Sequence, residues 1–224
     1  QELGTVVAPP PPGEKIALAG HVWRVLEVDR KRHLIYCEMV KGKVPAYFGE
    51  CPGDLHTKVL KRMRQVLRED TIYPYLMKNA VSRLTQARYT ATQSGAADEN
   101  LIFLGGKMWC FIPWLGTYGF LAMERFLRLK CGEKLGLKNL ESFRPFFMQF
   151  TMEADAAAFY AVLREEGEKL SNPMDLVYPN EVPLFDKYDE YLPEELIKKG
   201  FAYGVLRMDE VKDFCRGLSA ETAR

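Results

Sequence analysis

Apolar and polar residues alternate over 15–19, 21–28 and 33–40, the two-residue period of half-buried strands, with β-branched side chains frequent at the apolar steps. Gly20 separates the first two runs and Asp29-Arg30-Lys31-Arg32 the next two, while Lys41-Gly42-Lys43 precedes a fourth run at 44–48. Short strands joined by such turns predict an antiparallel meander. The period then lengthens. Over 55–68, Leu55, Val59, Met63, Val66 and Leu67 form an apolar helical stripe, and Lys58, Lys61, Arg62, Arg64 and Arg68 fill the remainder. A second helix is predicted after Pro74, over 75–90, with Leu76, Ala80, Leu84 and Ala87 on one face.

A polar loop at 92–100 leads to a predicted hairpin, 101–104 and 107–112, turning at Gly105-Gly106. Its second strand runs into Pro113-Trp114-Leu115-Gly116-Thr117 and then an amphipathic helix over 118–134. Proline ends the strand, glycine frees the turn, and the Thr117 hydroxyl is placed to cap the helix. Beyond it the pattern predicts a strand at 143–152, a helix at 154–170, and one or two helices between 194 and 218. The expected class is α+β: an antiparallel sheet or partial β-barrel with packed helices, in a single domain. Ala8-Pro9-Pro10-Pro11-Pro12-Gly13 reads as a stiff lead-in, so 1–13 is expected to be a linker from an upstream part of a longer protein, 14–218 the domain and 219–224 a tail.

With 224 residues the chain is long enough to bury a full core. No apolar run reaches the roughly 18–20 residues a bilayer span needs, and no signal peptide is legible, so a cytoplasmic protein without a membrane partner is expected. The five cysteines are scattered with no Cys-x-x-Cys pair, and the three histidines lack ligand spacing, which argues against a disulfide framework or a zinc site. The net charge of +1 conceals an asymmetry: residues 1–150 hold 22 Lys+Arg against 14 Asp+Glu, and 151–224 hold 9 against 16. Two outcomes stay open, attraction between the halves inside one domain, or a basic face for phosphates and an acidic face for a protein partner.

The chain has no phosphate-binding Gly-x-x-x-x-Gly-Lys-Ser/Thr loop, no Gly-x-Ser-x-Gly elbow and no His-Glu-x-x-His. Gly105-Gly106-Lys107-Met108 has only a superficial likeness to the first, and no catalytic residue or cofactor is assigned within the chain. The strongest electrostatic signal is the 55–68 helix, whose Lys58, Lys61, Arg62, Arg64 and Arg68 suit phosphate contact or a solvated face equally in kind. Arg125 and Arg128 repeat the theme on the third helix. Trp114, beside the turn, is a candidate for stacking on a base or for a place in the core. Asp186 and Asp189 offer a third option, a metal or acid–base pair, against a plain turn anchored by its aromatics.

Three blocks resemble the region C-terminal to the motor and winged-helix domains of Lhr-type (large helicase-related) DEAD/DEAH-box helicases. They are 18–29 (Leu-Ala-Gly-His-Val-Trp-Arg-Val-Leu-Glu-Val-Asp) with Pro45-Ala46-Tyr47-Phe48-Gly49-Glu50 and Met63-Arg64-Gln65-Val66-Leu67; Pro113-Trp114-Leu115-Gly116-Thr117; and Phe185-Asp186-Lys187-Tyr188-Asp189 with Leu192-Pro193-Glu194-Glu195-Leu196. Two positions depart from the family pattern: Tyr47 stands where tryptophan is expected, and Tyr118 where arginine is common. The resemblance implies an accessory domain of an ATP-dependent helicase, contacting single-stranded or forked DNA or RNA beside its own motor and winged-helix domains. ATP and magnesium would belong to those motors. The alternative is a protein-interaction or structural module that docks on the motor domains or on a partner without touching nucleic acid.

Overall fold

The computed structural model describes residues 3–4, 11–18, 20–42, 54–186 and 188–221, the side chains of 219–221 excepted. The predicted strand at 44–48 and the 45–50 block lie outside these residues, as does Lys187. By its internal contacts the chain divides into two compact units, Gln1–Gly53 and Asp54–Arg224.

The first unit carries the predicted meander: β1 (Lys15–Leu18), β2 (His21–Asp29) and β3 (Leu34–Met39), antiparallel and in sequence order. Ile16 and Val25 are its buried apolar side chains, and Trp23 pairs across to Ile16 and Met39. The Trp23 indole N–H donates to the Leu18 carbonyl at 2.9 Å, so the ring is tied to its own hairpin. Asp29 ends β2 by accepting the Lys31 and Arg32 amides at 3.0 and 3.1 Å, the side-chain turn that its type favours.

The second unit opens with two helices, α1 (Thr57–Arg68) and α2 (Lys78–Gln93). A four-stranded antiparallel sheet follows, from β4 (Leu101–Gly105), β5 (Met108–Phe111), β6 (Lys138–Phe143) and β7 (Phe147–Thr151), in the order β4-β5-β7-β6. Between β5 and β6 run α3 (Thr117–Phe126), a π-helical turn at Leu127–Cys131 and α4 (Gly132–Leu135), one continuous helical stretch where 118–134 was expected. After the sheet come α5 (Ala156–Lys169), α6 (Glu194–Gly200) and α7 (Met208–Glu221). The class is α+β, with two antiparallel sheets, packed helices and no closed barrel.

One face of the sheet builds the core. Phe111, Met148 and Phe150 meet Phe120, Phe126, Phe159 and Leu163 from α3 and α5, all essentially without solvent contact. Phe159 lies at the centre, its ring 5.2 Å from that of Phe111 and 5.9 Å from that of Phe150. Helices α5 and α7 approach so closely that a Cβ at Gly167 would stand 2.6 Å from that of Cys215, so glycine is what lets them touch. The single strand expected at 143–152 is instead the second half of a hairpin. Its chain reverses at Arg144-Pro145-Phe146, where the Phe146 amide donates to the Phe143 carbonyl at 2.8 Å, and β6 lies on the far side.

Candidate nucleic-acid interface

The basic helix is seated by the Pro-Trp-Leu-Gly-Thr junction. The Thr117 amide donates to the Leu55 carbonyl, and the Leu55 amide donates back to the Thr117 hydroxyl, each at 2.9 Å. The Gly116 amide donates to the Thr57 hydroxyl at 2.8 Å, and that hydroxyl donates to Glu210 at 2.5 Å. Thr117 is therefore not the cap of α3. Gly116 takes that position without a side-chain bond, because the threonine oxygen is occupied by the chain entering α1. His56 caps α1, its Nδ1 accepting the Lys58 amide at 3.0 Å.

The buried side chains of α1 are Thr57 and Leu60. The apolar stripe read from the sequence faces elsewhere: Val59 is 45% and Met63 40% exposed. With Val66 and Leu67 they floor an open groove of about 500 Å³, flanked by Lys58 and Arg62.

The predicted cations separate into two groups. Arg64 donates to the carbonyls of Ala97 and Asp98 at 2.8 and 2.7 Å, and its guanidinium lies 5.9 Å over the Trp114 ring. Arg68 pairs with Asp98 at 2.9 Å. Arg125 is 7% exposed, grips Glu181 with two bonds of 2.6 Å, and lies 4.7 and 4.8 Å from the Tyr178 and Phe201 rings. Arg128 bonds Glu124 and the Leu140 carbonyl at 3.1 and 2.7 Å. All four are engaged by contacts within the unit, Arg125 the most deeply. Trp114 belongs with them: it is 8% exposed, and its ring backs Arg64 instead of offering a face to a base.

The second group is accessible. Of the predicted cations, Lys58 and Lys61 are exposed on α1; Lys78 and Arg83, which sequence reasoning did not single out, are exposed on α2, and all four lack a side-chain partner among the described residues. Residues 54–93 carry eight Lys+Arg against three Asp+Glu, so the helical hairpin is the basic part of this unit. Arg62 is intermediate, exposed but engaged with Glu69 and, at 3.0 Å, with the Tyr73 hydroxyl. The Arg62 and Tyr73 hydrogen bonds hold the Glu69 carboxyl below the usual carboxylate range, and the Glu69 bond raises both Arg62 and Tyr73.

Sequence reasoning missed the aromatics of this hairpin. Tyr73 and Tyr75 stack with ring centres 5.5 Å apart and planes 16° from parallel, and Tyr75 is 77% exposed. The available signal was Tyr73-Pro74-Tyr75 in the turn between two basic helices. There proline starts a turn, with Tyr73 half-buried and Tyr75 left exposed.

Elsewhere the candidate chemistry is structural. The Asp189 carboxylate is buried and accepts the amides of Phe185 and Asp186 at 2.7 Å each, so it closes a turn. Gly105-Gly106-Lys107 turns a hairpin, with Lys107 paired to Glu153, and no helix follows to cradle phosphate. Among the described residues no cluster of His, Cys, Asp or Glu is arranged to hold a metal ion, and no helix is long and apolar enough to cross a membrane. No family model, no curated protein and no solved structure matches the chain.

The charge asymmetry is partly resolved within this unit. Glu165 and Glu166 bind Lys134 and Lys169, Glu181 binds Arg125, and Glu210 meets Thr57. Much of the acidic third is thus engaged internally, while the α1–α2 hairpin keeps positive charge with no partner among the described residues.

Proposed function

We propose that this chain is the C-terminal accessory region of an Lhr-like ATP-dependent helicase and supplies nucleic-acid strand contacts beside motor domains that carry out ATP hydrolysis. The family part of the reading rests on the order of the three sequence blocks. The contact part rests on one observation, that Lys58, Lys61, Lys78 and Arg83 on the basic hairpin are exposed with no side-chain partner among the described residues. Exposed lysines without carboxylate partners are free to replace the counterions of a phosphate backbone. The junction at 113–117 then serves as the rigid seat that fixes α1, and Arg64 and Arg68 brace it.

Reversal of Lys58 and Lys61 to glutamate tests this reading. Both side chains are exposed and have no partner among the described residues, so the fold should persist while binding of a fluorescent single strand at low salt falls roughly tenfold. Unchanged binding removes α1 from the interface. Reversing Arg64 would be uninformative, since it also breaks the bonds that hold residues 97–100.

A second reading is favoured by the apolar groove of Val59, Met63, Val66 and Leu67, which suits an amphipathic helix of a motor domain or partner. Absence of any nucleic-acid binding at low salt, with capture of the chain by the motor domains, would select it.

A further inference from the structure

Resting on that reading, we infer that Tyr75 is a base-stacking platform that makes the α1–α2 hairpin select unpaired strands over duplex. The tyrosine presents most of its surface to solvent, yet its position is fixed from behind. Tyr73 lies nearly parallel beneath it, and the Tyr73 hydroxyl donates to Glu69 at 2.6 Å while accepting from Arg62 at 3.0 Å. Glu69 closes the set by pairing with Arg62. Arg62 also lies 5.9 Å from the Tyr73 ring centre, so cation, carboxylate and two rings form one braced unit at the end of α1.

A braced ring loses little freedom on binding, which is the condition under which an exposed aromatic contributes to affinity. The charge around it selects the ligand. Lys58 stands one helical turn before Arg62 on the same face, and both flank the groove. A strand held by Lys58 and running along α1 past Arg62 brings its bases to the end of the helix where Tyr73 and Tyr75 stack. Only an unpaired base has a face to offer, because in a duplex both faces are already stacked on neighbours. Phosphate contacts alone would not discriminate in this way.

The test compares a 20-nucleotide oligothymidylate, an abasic sugar-phosphate strand of the same length, and a duplex, each binding to the whole chain at low salt. The parent protein should bind the oligothymidylate roughly tenfold more tightly than the abasic strand. Tyr75→Ala should remove that ratio and leave abasic binding unchanged, and Tyr75→Trp should restore it. If the parent binds both strands equally, or Tyr75→Ala keeps the ratio, the platform is refuted while phosphate binding stands. If no strand binds, the nucleic-acid reading and the platform fail together.

Discussion

Replacing Gly116 by alanine would put a Cβ 2.2 Å from the Leu55 carbonyl oxygen and 2.6 Å from the Thr57 amide nitrogen. Both are backbone atoms, so no rotamer relieves the overlap and the start of α1 must move away from the junction. Three hydrogen bonds are lost in that movement: the reciprocal Leu55–Thr117 pair and the bond from the Gly116 amide to Thr57. At about 1 kcal/mol net for each, the expected destabilisation is about 3 kcal/mol. Gly204→Ala is the control, since a Cβ there meets nothing within 4 Å. Urea unfolding followed by tryptophan fluorescence gives the magnitude, and hydrogen exchange at the Leu55 and Thr117 amides gives the location. Both amides should lose protection in Gly116→Ala and keep it in Gly204→Ala. A Gly116→Ala protein within about 0.5 kcal/mol of its parent would refute the seating of α1 by this junction.

Glu181→Ala leaves the Arg125 guanidinium buried without its counterion and should cost about 3 kcal/mol, whereas Arg125→Met, which replaces charge by apolar volume, should cost less. The Arg125 bonds hold the Glu181 carboxyl below its ordinary range. That contribution is therefore complete above the unfolded carboxylate pKa, about 4.3, and is lost as pH falls through the lower folded value. Melting temperature measured between about pH 6 and 3 should fall less steeply in Glu181→Gln than in the parent. Burial pushes the Cys215 thiol up to about 12 and raises the Cys131 thiol as well. Neither should react with a thiol reagent at neutral pH until urea unfolds the chain; rapid labelling of either in the native protein would contradict their burial.

The strands of the meander and of the 101–112 hairpin were legible because alternation in each is bounded by turn residues on both sides. The Pro113–Thr117 junction was legible as strand, turn and helix, but its partner was not. Leu55 lies 62 residues from Thr117, and no local rule reports that the threonine hydroxyl is taken by a distant amide. Helix α2 begins at Lys78, later than the apolar pattern implied, because residues 73–76 are used in a turn closed by the Leu76 amide on the Tyr73 carbonyl at 3.1 Å. Strand β6 was hidden behind Gly136, where polar Lys138, Asn139 and Glu141 leave only Leu140 buried. The candidate site was half legible. Composition marked the basic helix, but which cations are spent on carbonyls and carboxylates is a tertiary fact. Arg64 and Lys61 look alike in sequence, and only the first finds the carbonyls of Ala97 and Asp98. The aromatic share moved from Trp114 to Tyr75 for the same reason: the larger ring is consumed in bracing α1, and the smaller one is left outside.

The salt dependence of single-strand binding reads out phosphate contact by the α1–α2 hairpin. Affinity for a 20-nucleotide oligothymidylate should fall linearly on logarithmic axes as salt rises. The Lys58→Ala, Lys61→Ala double variant should reduce the steepness by about 1.4, the value for two phosphates on a single strand. An absence of binding at low salt, or an unchanged slope in the double variant, would contradict a nucleic-acid interface on the α1–α2 hairpin.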